Sequence, residues 1–491
     1  MPAVLRRAGV AMLGAVLALP ACGSGLGARD QTASAAAADR CTDIAIADAR
    51  CTSVAVSEDR RKPAGRRIQL RVVTLPARES PGGGRAADPI FVLAGGPGQA
   101  ASTLAGDPAY ADPVIRRRDV VFVDQRGTGG SNGLLCQFYG PDPQSYFDAF
   151  LPIDKVRACR DTLASRADLS QYTTAASVDD LDEVRAALGY DRLNLIGGSY
   201  GTRLAMEYLR RHGDRVRSVV LDGPVAASVR IPEDFGRLAQ RSLDLLLDEC
   251  VADAACASRF GDIRAKTRAV FERLRRGPVE ATVVPPGSDR QADVTLTRNH
   301  VAEAIRYMTY SAGGASRVPL VLHEAARGNF GPIAQFLLRW RSSGTFEAIY
   351  LSITCAEDVP FVGADAADRD DATYLGGYRV REQRAACAEW PRGSVPAWHG
   401  QPVESRVPAL VLSGELDPVT PSGHGDEIAR TVANSLHVRV PFAGHSPNGL
   451  EGLACLDRLV GTFIEAGSIA RLDVSCVSDI RRPGFAAALS R

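Results

Sequence analysis

The stretch that decides the fold is Gly197-Gly198-Ser199-Tyr200-Gly201, read together with its flanks. Residues 193–196 before it (Leu-Asn-Leu-Ile) form a short apolar run of strand character, and residues 202–211 after it predict a helix. G-x-S-x-G at such a junction predicts a sharp strand-to-helix turn that holds the serine in a strained conformation. Small flanking residues let neighbouring backbone come close. The five-residue pattern alone is weak, so the surrounding sequence has to carry it.

Working outward, further short apolar runs stand at 90–93, 120–123 and 219–221, and each stops at a polar or glycine-rich turn. The first stops at Gly95-Gly96-Pro97-Gly98, the second at Asp124-Gln125-Arg126-Gly127, the third at Asp222-Gly223-Pro224. Residues 68–74 predict another strand, and 178–188 a helix with Leu181, Val184 and Leu188 on one face. Buried runs alternating with helices predict a parallel sheet covered on both faces. From about residue 226 to 402 amphipathic helices dominate, with stripes such as Phe235, Leu238, Leu245, Leu246 and Val301, Ile305, Met308 that read as core packing. Sheet-type runs return at 409–412 and 436–440. The expected fold class is therefore α/β, a mostly parallel sheet flanked by helices, with a large helical cap inserted before the last strands. The expected divisions are 41–225 and 403–491 for the two parts of the core, and 226–402 for the cap.

Length and charge bound the function. The chain has 491 residues and a basic-minus-acidic balance of +1, with 45% apolar and 23% charged residues. It is long enough for more than one folding unit. It lacks the bulk positive charge on which nucleic-acid binding relies, and its 6% aromatic content is poor for a stacking platform. No cysteine or histidine cluster has zinc spacing, and no phosphate loop or dinucleotide fingerprint is present, so neither metal nor cofactor is expected.

The N-terminus predicts export. Arg6 and Arg7 precede an apolar run at 8–21, shorter than the ~20 residues of a membrane span and suited to a signal peptide. It ends in Leu19-Pro20-Ala21-Cys22, which resembles a lipoprotein signal whose cysteine (Cys22) becomes acylated. Cleavage near Ala33-Ser34-Ala35 is the alternative. Residues 23–40 read as a flexible tether. Cys22 apart, ten of the 11 cysteines remain. Their spacing suggests local pairs at 41–51, 136–159, 250–256, 355–387 and 455–476, as in an oxidising compartment. The expected location is the periplasm or cell envelope, with any membrane contact made through a lipid anchor. The sequence does not define the oligomeric state.

If Ser199 is a nucleophile, an acid and then a histidine should follow it in the chain. Asp417 lies just past the 409–412 run and His445 just past the 436–440 run, at the strand edge where α/β sites assemble. Of the seven histidines, His212, His300, His323 and His399 precede the acid. His424 follows it too closely, and His437 falls within a strand. Asp222 is a rival acid because it also follows a strand. The oxyanion hole would be formed by the backbone N–H groups of Tyr200 and Gly96, with Gly95 as the alternative.

These segments together resemble the α/β-hydrolase serine peptidases of the proline iminopeptidase and tripeptidyl aminopeptidase family, nearest the tripeptidyl-aminopeptidase-like branch. The matching pieces are Gly95 to Gly98, Asp124 to Gly129, Gly198 to Thr202, and Gly414 to Pro421 with His445. Ala94 departs from the pattern, standing where proline iminopeptidases have a histidine. The resemblance implies a peptide substrate and a carboxylate in the cap that binds a free α-ammonium. The candidates are Glu357, Asp358 and Glu415. A carboxylic-ester hydrolase on the same scaffold and a catalytically silent binding protein are the alternatives. Arg126 reads as a structural tie between loops.

Overall fold

The computed structural model describes residues 38–78, 86–344 and 346–488. The expected signal peptide and Cys22, and all but the last residues of the expected tether, lie outside them.

Among the described residues, nine strands form one sheet: β1 (Asp39–Arg40), β2 (Arg50–Ser57), β3 (Arg67–Leu75), β4 (Ile90–Leu93), β5 (Val120–Val123), β6 (Leu193–Gly198), β7 (Val216–Asp222) and, after a long helical segment, β10 (Ala409–Gly414) and β11 (Ser435–Val440). β8 (Val279–Val283) and β9 (Ala292–Leu296) pair as a separate hairpin. The sheet order is β1-β2-β3-β5-β4-β6-β7-β10-β11, antiparallel through β3 and parallel from β5 onward. The chain leaves β4 for β5 on one side and returns to β6 on the other. The carboxyl ends of β4 and β6 therefore flank the point where the winding reverses, and a crevice opens there.

The four residues of β4 are all buried, but they serve two cores. Phe91 and Leu93 pack on one face with Leu195 and Leu204, while Ile90 and Val92 pack on the other with Phe463 and Leu410. A strand covered on both faces gains nothing from polar residues, and that is why it reads as an unbroken apolar run.

Between β7 and β10 lies the helical cap, with the β8–β9 hairpin inside it. It has its own apolar core, in which Phe235, Leu243 and Leu246 of helix Phe235–Ala252 meet Val301, Ile305 and Met308 of helix Arg298–Met308. Five disulfides join Cys41–Cys51, Cys136–Cys159, Cys250–Cys256, Cys355–Cys387 and Cys455–Cys476, the pairs that spacing suggested. Arg126 is fully buried. It holds Asp180 with two 2.7 Å bonds and donates to the carbonyls of Glu58 and Gln171, so it joins three separate chain segments. Among the described residues, no helix is long and apolar enough to cross a membrane.

Candidate active site

Ser199 stands between the end of β6 and the start of helix Tyr200–His212, with φ 54° and ψ −123°. A positive φ in a residue with a Cβ is strained, and the surroundings enforce it. The Ser199 N–H donates to the Asp222 carbonyl at 2.8 Å, and the helix packs against the end of β4. A Cβ on Gly201 would lie 2.1 Å from the Leu93 carbonyl oxygen, so only glycine permits this approach. On the β4 side, a Cβ on Gly95 would lie 3.2 Å from Ser199 Cβ, and Gly96 has φ +108°. The glycine turn and the first N–H groups of the helix thus border the serine.

His445 follows β11 and Asp417 follows β10. His445 Nε2 is 2.8 Å from Ser199 Oγ, and His445 Nδ1 is 2.8 Å from Asp417 Oδ2. Asp417 is fully buried. Its Oδ1 accepts from the N–H groups of Val419 and Thr420, and its Oδ2 accepts from Thr420 Oγ1 at 2.8 Å. Burial by itself would push the Asp417 carboxyl up, but the His445 charge and hydrogen bond, together with Thr420, hold it below the ordinary carboxylate value. His445 behaves in the opposite way. Burial pulls its imidazole down, yet the Asp417 charge and hydrogen bond outweigh that and raise it above the usual value, with Asp222 adding to the effect. Asp222, the rival acid, lines the same cavity. Burial pushes its carboxyl up to about 6, and the carboxylate that hydrogen-bonds His445 is that of Asp417.

Sequence reasoning missed Thr420. Its Oγ1 also lies 3.1 Å from His445 Nδ1, so it braces the acid and the imidazole together. A signal was present, because an Asp whose side chain accepts from the N–H groups two and three residues on is a common turn, and Asp417-Pro418-Val419-Thr420 has that spacing.

The serine opens into a cavity of about 490 Å³ between sheet and cap. Tyr310 stacks edge-on against the His445 ring, 5.1 Å between centroids, and Tyr307 and Trp340 stack at 4.4 Å beside it. Two cap carboxylates line this cavity, Glu303 and Glu347. Glu303 is taken by Arg341 at 2.5 Å. Glu347 has no ion-pair partner among the described residues, and its Oε2 is buried without a hydrogen bond. Burial pushes its carboxyl up to about 7, against the lowering effect of the backbone N–H groups of Glu347 and Cys136. Nothing in the local sequence distinguishes these two acids from the other carboxylates of the cap.

The expected ammonium-binding carboxylates lie elsewhere, and this corrects the sequence reading. Glu357 ends helix Glu347–Glu357 facing away from the cavity. It accepts from Thr174 N at 2.7 Å and Thr174 Oγ1 at 2.6 Å, and that same Thr174 oxygen accepts from the Tyr200 hydroxyl at 2.8 Å. Asp358 is fully buried and holds Arg203 at 2.9 and 3.1 Å. Both acids are consumed in fastening the cap to helix Tyr200–His212, the helix that begins next to Ser199. A buried carboxylate already committed to such donors is not available to a ligand. Glu415 is exposed and outside the cavity.

A strained serine at the turn after a parallel strand, followed in the chain by a carboxylate and a histidine at two later strand ends, defines an α/β hydrolase. The chain belongs to that class. The family described as alpha/beta hydrolase fold matches residues 88–278, and the one described as TAP-like protein matches residues 373–476. Among curated proteins, Serine protease Hip1 of Mycobacterium tuberculosis is 25% identical over 462 residues, covering 85% of each chain. Carboxylesterase B of the same organism is 28% identical over 457 residues, with 85% of this chain and 84% of that one covered. Tripeptidyl aminopeptidase of Streptomyces coelicolor is 25% identical over 460 residues, covering 85% and 81%. These relatives are named as serine peptidases and as a carboxylesterase, and the chain is similar to all three over most of its length.

Proposed function

We propose that the protein is an exported serine aminopeptidase that releases short N-terminal pieces from peptides through an acyl-enzyme. The observation that carries this reading is the unbroken hydrogen-bonded row Ser199–His445–Asp417 at the floor of a cavity whose wall holds an unpaired carboxylate, Glu347. In this reading His445 takes the Ser199 proton as Oγ attacks the scissile carbonyl, and Asp417 keeps the imidazole in the required tautomer and stabilises its charged form. The N–H groups of Tyr200 and of Gly96, or of its neighbour Gly95, stabilise the developing oxyanion. His445 then gives its proton to the departing amine, and water resolves the acyl-enzyme. Residues 41–225 and 403–491 supply this machinery and 226–402 the recognition surface. The five disulfides support a site of action outside the reducing cytosol.

Glu347 replaces the acids that the sequence suggested as the ammonium binder. A cation entering beside it would stabilise its ionised form, and truncating one partner of a desolvated charge pair typically costs 2–5 kcal/mol, roughly 30-fold or more in affinity. The test compares kcat/KM on short peptide amides with free and acetylated N-termini. Wild type is expected to prefer the free amine strongly, and Glu347→Gln to lose at least ~30-fold of that preference. Equal rates on both substrates in wild type would reject the aminopeptidase reading in favour of an esterase or endopeptidase.

The pH profile is a second check. Both His445, raised above 6.5, and Glu347, raised to about 7, must be deprotonated to act, so acid removes both. The acid limb of log kcat/KM is expected to approach a slope of two for free-amine peptides and one for acetylated ones. The same slope for both substrates would exclude Glu347 from amine binding.

A further inference from the structure

Seven arginines of the described chain are buried. Five have a carboxylate within 4 Å: Arg116 with Asp48, Arg118 with Asp88, Arg126 with Asp180, Arg185 with Asp182 and Arg341 with Glu303. The two exceptions, Arg306 and Arg379, both line the Ser199 cavity.

Arg306 is 1% exposed, and its Nε and Nη2 find no acceptor among the described residues. Its guanidinium lies over aromatic rings instead, 4.1 Å from the Phe235 centroid and 5.3 Å from that of Tyr310. Arg379 is 3% exposed. It stacks on Phe150 at 3.5 Å and reaches Phe235 at 5.5 Å. Its Nη2 donates to the Tyr350 hydroxyl at 3.3 Å, and its Nε is unpartnered. Two like charges thus share one aromatic ring in a buried place. The nearby Glu303 carboxylate bonds Arg341 through Oε2; its Oε1 is buried without a hydrogen bond, and its charge reaches Arg379 only through space. Ring faces compensate a guanidinium only in part, since they accept no in-plane hydrogen bond. Planar forked donors left without a carboxylate, beside the Ser199 cavity, are suited to one.

We propose that Arg306 and Arg379 form a carboxylate-binding subsite of the Ser199 cavity, so that the preferred substrates are short peptides carrying a free carboxylate near the scissile bond. The inference rests on the reading of Ser199 as the nucleophile. Distance sets the reach. Arg306 contacts Tyr310, and Tyr310 contacts His445 at 5.1 Å, which puts the guanidinium within about 10 Å of the imidazole. An extended residue spans ~3.3–3.6 Å, so the carboxylate stands no more than about three residues from the bond that is cut. With Glu347 free for the ammonium at the same cavity, both charged ends of a short peptide find a partner of opposite sign. The carboxylate has two sources, a C-terminal α-carboxylate or an acidic side chain.

The test uses the full-length protein and a fluorophosphonate that labels Ser199. Initial labelling rates are measured with Ala-Ala-Ala, its C-terminal carboxamide, and Ala-Ala-Asp carboxamide as competing peptides. A carboxylate-bearing peptide is expected to protect at roughly 30-fold lower concentration than Ala-Ala-Ala carboxamide. Protection by Ala-Ala-Ala assigns the subsite to a C-terminal carboxylate, and protection by the aspartyl peptide alone assigns it to a side chain. Either result supports the subsite. In Arg306→Met and Arg379→Met, which replace a buried cation by an apolar chain of similar length, the discrimination is expected to fall below ~3-fold. Equal protection by all three peptides in wild type, or none by any, overturns the subsite whether or not the variants fold. Absence of labelling is a different failure. It removes the nucleophile reading, and this inference goes with it.

Discussion

Ser199→Ala is expected to lower kcat by about a million-fold while leaving the fold intact, as loss of the nucleophile does in other triads. Among the described residues the side chain makes one polar contact, from Oγ to His445 Nε2 at 2.8 Å, and its removal leaves no buried charge unpaired. The strained backbone at φ 54° is held by the Ser199 N–H bond to the Asp222 carbonyl and by the close approach at Gly201. None of these involves the hydroxyl. Thermal unfolding should therefore stay within a few degrees of wild type, since a surface-like loss of ≤0.5 kcal/mol moves Tm little in a chain of this size. The measurement is kcat on a free-amine peptide amide, with Tm recorded on the same preparation. Turnover near that of wild type would sink the assignment.

Asp417→Asn should cost about 10⁴ in kcat. The reason lies in how the amide would have to sit. Oδ1 of Asp417 accepts from two backbone N–H groups, those of Val419 and Thr420, and only an oxygen can remain there. The new NH₂ group must then occupy the place of Oδ2 and donate towards His445 Nδ1. That drives the imidazole proton to Nε2, which faces Ser199 Oγ and can no longer accept from it. Thr420 Oγ1, which donates to Oδ2, would have to reverse its bond as well. Asp222→Asn is the matched control. Asp222 only adds to the positive shift of the imidazole, so its loss should lower kcat by less than ~10-fold and move the acid limb down in pH. If the two variants lost similar activity, the acid would be shared between Asp417 and Asp222.

Much of this was legible in the chain. The runs at 90–93 and 120–123 form strands with those bounds, because four-residue segments buried on both faces must be wholly apolar and must end where the backbone reaches a polar turn. That Ser199, Asp417 and His445 come together was legible because strand ends in a parallel sheet gather on one edge, so position along the chain translates into position in space. Two strand features were not. β2 carries mixed residues, Arg-Cys-Thr-Ser-Val-Ala-Val-Ser, since an antiparallel strand near the sheet edge has one face less deeply covered. The β8–β9 hairpin sits inside a helical segment, where helical periodicity on both sides obscured it.

The chemistry of recognition depended on tertiary structure. Glu357 and Asp358 had the right charge and a disulfide beside them at Cys355, yet helix Glu347–Glu357 turns them towards Thr174 and Arg203. Glu347, ten residues earlier at the other end of that helix, lines the cavity. Whether an acid or an arginine is free or already paired depends on partners far away in the chain: 183 positions separate Glu357 from Thr174, and 38 separate Arg341 from Glu303. The backbone path and the meeting of Ser199, Asp417 and His445 follow from local rules of burial and turn formation, which a sequence carries in its own order. The charges left unpaired in the cavity are what remains after every long-range pairing has been made, and only the folded chain makes those pairings.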